Sequence, residues 1–221
     1  YERSIAIDPS YAEPYARLAR VHTYPWITGL RTSREESLDT ALKLARRAME
    51  LDAQLPLAQG MLSWVCTWSG RHDEAMSAAR QAVALDPGGA EVYYWLRVSL
   101  SFSGINDEAD RALAQAMRFN PHPPVYYLWA RAQNYAFTGH YDEAIDLGKQ
   151  VLRTTPTFSG GYTVLAASYA LAGRIDEARQ IGAELKRLFP HYCRLDERRE
   201  GLALDASLRD RFYNALTLAG I

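Results

Sequence analysis

Apolar residues in this chain recur at the three-to-four-residue spacing of amphipathic helices, with almost no alternation of the kind a strand requires. The stretches between a proline and the next glycine show it, as at Leu96, Leu100 and Phe102. Glycine closes such a helix because it adopts the left-handed conformation at no steric cost. Asp and Glu then open a second helix, where their charge meets the positive end of the helix dipole. Ala holds the tight contacts of that second helix (Ala75 and Ala82, Ala109 and Ala116), and a Pro stops it. The pattern predicts helices in pairs.

The pairs repeat. The string Asp-Glu-Ala begins at Asp73, Asp107, Asp142 and Asp176, in steps of 34, 35 and 34 residues. A glycine lies three residues ahead of each, at Gly70, Gly104, Gly139 and Gly173. Pro87, Pro121, Pro156 and Pro190 keep the same register. The one extra residue falls in "NPHPPV", where Pro123 and Pro124 can absorb it in a turn. Upstream, "YAEPYARLARVHTY" and "SLDTALKLARRAMELDA" read as a first and a second helix separated by a ten-residue insertion around "PWITGLRTSR".

This period and these markers resemble the tetratricopeptide repeat, or TPR. Leu165, Ala166, Tyr169, Gly173, Ala178 and Pro190 match the family's marker residues, as do Leu62, Gly70, Ala75, Ala82 and Pro87 in an earlier unit. The resemblance implies an all-α fold: a right-handed superhelical solenoid of about five helix-turn-helix repeats. The expected units are 11–53 with the insertion, 54–87, 88–121, 122–156 and 157–190. Residues 1–10, with apolar Ile5 and Ile7 running into Asp8-Pro9, read as the end of a preceding repeat's second helix. That reading makes the chain one piece of a longer protein. Residues 191–221 read as a charged connector, "LDERRE", and a helix with Leu208, Phe212, Ala215, Leu216 and Ala219 on one stripe. A solenoid's last unit leaves an apolar face bare, so this helix is expected to cap it.

Composition adds exclusions. A formal net charge of -1 gives no bulk basicity for nucleic acid, so no direct contact with it is expected. No apolar run reaches the length of a membrane span, and no signal peptide is recognisable, so membrane insertion is not expected. Two cysteines, Cys66 and Cys193, form no CxxC pair, which fits a reducing, cytoplasmic setting. Phosphate loops, HExxH and GxSxG are absent, and the five histidines are scattered. His191 and Cys193 lack a second ligand pair, Cys66 reads as a packed core residue, and the regular Asp-Glu pairs read as helix starts. No catalytic residue, metal site or cofactor follows from these residues.

What is in excess is aromatic: 14 Tyr and 5 Trp. In the TPR fold the first helix of each repeat lines a concave face. Aligning the units places Ala16, Arg17, Arg20 and Tyr24 there from the first repeat. The second gives Gly60, Met61, Trp64, Thr67 and Trp68, and the third Tyr94, Trp95, Val98, Ser101 and Phe102. The fourth gives Tyr126, Trp129, Ala130, Gln133 and Phe137, and the fifth Thr163, Val164, Ala167 and Leu171. Large rings with few rotors dominate binding hot spots. The expectation is a polypeptide-binding groove formed by Trp64, Trp68, Tyr94, Trp95, Val98, Tyr126, Trp129, Gln133 and Arg20. Trp64, Trp95 and Trp129 are expected to be open to the groove, while Phe102 and Phe137, near helix ends, fill gaps. A carboxylate clamp of the TPR adaptor kind is not expected, because the matching places hold Gly60, Met61, Trp64, Glu91 and Trp95. Arg97 and Arg131, standing where the family has a small residue and a Leu, are expected to pair with an Asp or Glu.

The insertion, the "LDAQLPLA" junction and the closing Leu-Ala-Gly-Ile are similar to the C-terminal TPR region of bacterial class III adenylate/guanylate cyclases. A related region follows winged-helix domains in some transcriptional regulators. The resemblance implies an interaction module, binding a polypeptide or its own upstream domain or forming a homodimer, and controlling a catalytic or DNA-binding domain. The alternative is a small-molecule-binding or enzymatic domain using the aromatic cavity, which needs convergent polar groups. Those on offer, Gln133, Thr67, Ser101 and Arg20, are widely spaced, and the interaction reading leads.

Overall fold

The computed structural model describes residues 1–27, 34–190 and 206–221. The insertion around 28–33 and the connector with His191 and Cys193 lie outside the described residues, as do the side chains of Tyr24 and Leu208. Twelve helices are described: α1 (Glu2–Ile7), α2 (Ala12–Ile27), α3 (Arg34–Leu51), α4 (Pro56–Trp68), α5 (His72–Leu85) and α6 (Ala90–Phe102), then α7 (Asn106–Phe119), α8 (Val125–Thr138), α9 (Tyr141–Thr154), α10 (Ser159–Leu171), α11 (Ile175–Leu188) and α12 (Ala206–Leu218). From α2 to α11 they form five hairpins, each packed against the next along the solenoid.

The hairpin turns follow from glycine. Gly70, Gly104, Gly139 and Gly173 all sit at positive φ, between 73° and 88°, where a Cβ would be strained. Acidic pairs fill the first turn of α5, α7, α9 and α11. Inside each hairpin, Ala is buried where helices touch: Ala75, Ala79 and Ala82 on α5, Ala109, Ala112 and Ala116 on α7. Between outer helices, Arg46 reaches Glu74 and Arg80 reaches Glu108, each at 3.5 Å.

Helix α12 covers the last hairpin. Tyr213, Ala215, Leu216 and Ala219 join a core with Ile145, Leu165, Ala166 and Tyr169. Gly182 makes the close approach possible, since a Cβ there would fall 2.1 Å from the carbonyl oxygen of Ala219. At its other end Arg211 donates to the Phe137 carbonyl at 2.6 Å, and Phe212 meets Phe137 edge to face.

Candidate functional site

The aromatic residues of the inner row behave differently from the expectation. Trp95 is 4% exposed and Tyr94 5%, and Val98 and Trp68 are buried as well. Trp95 lies against the backbone of α4: a Cβ at Gly60 would come within 1.8 Å of its Cε3. A glycine on one inner helix thus makes a slot for the tryptophan of the next. Trp95 is a staple between repeats and presents almost no surface to a groove, which corrects the expected exposure.

Trp64 and Trp129 are half-buried, and each is tied to a neighbouring repeat. Trp64 Nε1 donates to Thr23 Oγ1 at 2.9 Å, and that hydroxyl donates to the Arg20 carbonyl at 2.8 Å. Rings then run from Trp64 to Trp68, centroids 5.7 Å apart, and from Trp68 to Phe102, 4.8 Å apart. Trp129 meets Phe158, at the start of the fifth repeat, at 6.0 Å. Phe102 and Phe137 fill gaps, against Trp68 and Phe212. Beneath the rings, Ser63 and Thr67 share hydrogen bonds with Ser99 at 2.7 and 3.1 Å, so Thr67 belongs to the packing too.

Arg97 is 1% exposed, and its partners are not the expected acid. One terminal nitrogen donates to the Ala130 carbonyl at 2.8 Å and to Gln133 Oε1 at 3.1 Å. A backbone carbonyl of α8 and a side-chain amide thus hold the end of the guanidinium in place of a carboxylate, while Nε is buried without a hydrogen bond. Burial lowers its pKa, against the opposing influence of Tyr94 and of Asp110 on α7. Gln133 is thereby committed to Arg97 and is no free groove ligand. Arg131 shows no ion pair among the described residues, and its Nε is likewise buried without a hydrogen bond.

What remains open is the first half of the inner row. A cavity of about 420 Å³ is lined by Arg17, Arg20 and Val21 of α2, Leu57 and Met61 of α4, Glu91 of α6, and Tyr1. Arg17 is engaged by Glu13 at 2.6 Å. Arg20 and Glu91 are both exposed, and neither forms an ion pair among the described residues. Both act electrostatically on Tyr126, which belongs to α8, a repeat further on. The Tyr126 phenol is held above its usual value first by burial and then by Glu91, while Arg20 pulls it down. Tyr126 in turn closes a triad with Tyr94 at 4.8 Å and Tyr127 at 5.1 Å, and Tyr94 stacks on Tyr127 at 5.0 Å. A cation and a carboxylate from two different repeats, Arg20 of α2 and Glu91 of α6, therefore stand over one apolar floor, with the Tyr126 phenol within their electrostatic reach. The solenoid brings Arg20 and Glu91 to one cavity, although they are 71 residues apart in the chain (91 − 20). Glu91 had no signal marking it except the position where a clamp would carry a cation.

This architecture has known counterparts. The solved structure of TTC0263, a thermophilic TPR protein of Thermus thermophilus, is 25% identical over 93% of this chain and 99% of that one, with a TM-score of 0.67. The fold is a TPR solenoid. PilW, a type IV pilus biogenesis factor, superposes with a TM-score of 0.67 at 17% identity, over 94% of this chain and 90% of its own. YrrB, described as a TPR protein with an unusual peptide-binding site, gives a TM-score of 0.52 at 18% identity, over 86% and 92%. No family model matches the sequence, and no curated protein matches it. Among the described residues, no cluster of His, Cys, Asp and Glu could hold a metal ion, and no helix is long and apolar enough to cross a membrane.

Proposed function

We propose that this TPR solenoid is a polypeptide-binding module whose concave face, between α2 and α8, seats an extended segment. In this reading the bound segment regulates a catalytic or DNA-binding domain of the same protein, as the resemblance to cyclase and winged-helix regulators implies. The observation that carries it is the meeting of Arg20 and Glu91, from two different inner helices, over Val21, Leu57 and Met61. An extended backbone offers amide and carbonyl groups to such a rim while its side chains enter the apolar floor. That a protein of this fold, YrrB, carries a peptide-binding site is consistent with the reading.

A small-molecule reading draws on the same convergence, because a cavity of about 420 Å³ with a few polar groups also suits a compact ligand. One experiment separates the two. A photo-crosslinking residue at Val21, half exposed at the cavity, is offered a library of 12-residue peptides, with the same residue at convex Gln81 as control. Peptide capture at Val21 alone is expected. Equal capture at both positions, or none, would remove the polypeptide reading and leave the compact ligand to be sought by thermal shift.

A further inference from the structure

The charges of the groove point to a particular kind of segment. We infer that the occupant is an internal stretch of polypeptide carrying one acidic and one basic side chain flanking an apolar residue. This rests on the polypeptide reading above and narrows it.

Arg20 and Glu91 are the two charged side chains at the cavity with no ion pair among the described residues, since Arg17 is already engaged by Glu13. They stand on different inner helices, α2 and α6, with Val21, Leu57 and Met61 below them. Both line the same cavity, so a segment lying over its floor meets both charges at once. A ligand that satisfies both must itself be bipolar. Like charge opposite either residue is repelled, and such repulsion sets specificity more than affinity. A free carboxyl terminus fits poorly: two oxygens of one anion would face one cation, Arg20, and one carboxylate, Glu91. A polyphosphate chain would meet the same carboxylate. The floor supplies the third element, because Val21 is 49% exposed and an apolar side chain laid over it removes that surface from water.

The fold leaves few alternatives along the inner row. Trp95, Tyr94 and Val98 are buried between repeats, Gln133 is held by Arg97, and Arg211 and Phe212 of α12 occupy the end of α8 at Phe137. Selection falls to the Arg20–Glu91 pair.

The test uses the full chain and an array of 12-residue peptides blocked at both ends. Its classes are acidic plus basic around an apolar residue, acidic only, basic only and uncharged apolar, with one acidic set left with a free carboxyl terminus. The spacing of the two charges is varied from one to four residues. Anisotropy titrations then follow the best binders against Arg20→Glu and Glu91→Lys, both exposed positions whose fold is checked by helical circular dichroism. The bipolar class is expected to bind at least about tenfold more tightly than any single-sign class. Arg20→Glu is expected to move preference toward basic peptides and Glu91→Lys toward acidic ones. If uncharged apolar peptides bind as well, or neither substitution changes the ranking, the charge inference is overturned while the groove stands. Preference for the free carboxyl terminus overturns it too. If no class binds, the polypeptide reading itself falls.

Discussion

Gly60 and Trp95 illustrate how a single missing Cβ sets the packing of two repeats. Alanine favours a helix over glycine by about 1 kcal/mol, so Gly60→Ala would stabilise α4 in isolation. In the solenoid its methyl would overlap the Trp95 ring, a rigid buried group, and overpacking costs about 1–3 kcal/mol. Gly60→Ala is therefore expected to lower the denaturation midpoint, and adding Trp95→Leu to recover part of it. A midpoint unchanged by Gly60→Ala would mean that the ring is free to leave the slot. Burial of Trp95 could not be read from the sequence, because the slot lies 35 residues earlier (95 − 60), and a glycine in a helix carries no sign of what crosses it. Arg97 is similar: the sequence shows a buried-position cation, but its acceptor is a backbone carbonyl, which every residue possesses.

The tyrosines give a pH dependence at the same scale. Burial pushes the Tyr94 phenol up to about 12 and raises Tyr127 as well. The folded state thus holds these protons more tightly than the unfolded chain, whose tyrosines titrate near about 10. Their contribution to stability is complete below about pH 10 and is lost as pH rises toward about 12. Urea midpoints are expected to fall as pH is raised from about 9 to about 11.5, across the window those shifts define. In Tyr94→Phe the slope should be shallower, and a slope identical to that of the parent would place Tyr94 outside the buried core.

At the level of elements, the hairpins were legible and the surfaces between them were not. Gly-x-x-Asp-Glu-Ala marks a turn and a helix start because both constraints are local, one of backbone conformation and one of dipole charge. The contacts of α12 depend on remote positions. Its apolar stripe announces a cap, but its seat requires Gly182, where a methyl would strike the Ala219 carbonyl. Gly182→Ala is expected to loosen α12, so that limited proteolysis cuts within 206–221 while the repeats keep their helical signal. Protection equal to that of the parent would show that the cap does not depend on this approach.

Across the whole molecule, curvature does what sequence alignment could not. Repeat periodicity assigned α2, α4, α6 and α8 to one inner row, but not the height at which each side chain meets another. The solenoid brings Arg20 and Glu91 to one cavity and turns most of the expected aromatic anchors into inter-repeat packing. The groove is therefore a charged rim over a small apolar floor, with the large rings holding its walls in place. The most direct test is backbone hydrogen exchange of the full chain, with and without a saturating bound peptide selected on the array. Slowed exchange concentrated in α2, α4 and α6, with α5, α7 and α12 unchanged, is the predicted result. Slowing confined to the outer helices α5 and α7 would contradict the account.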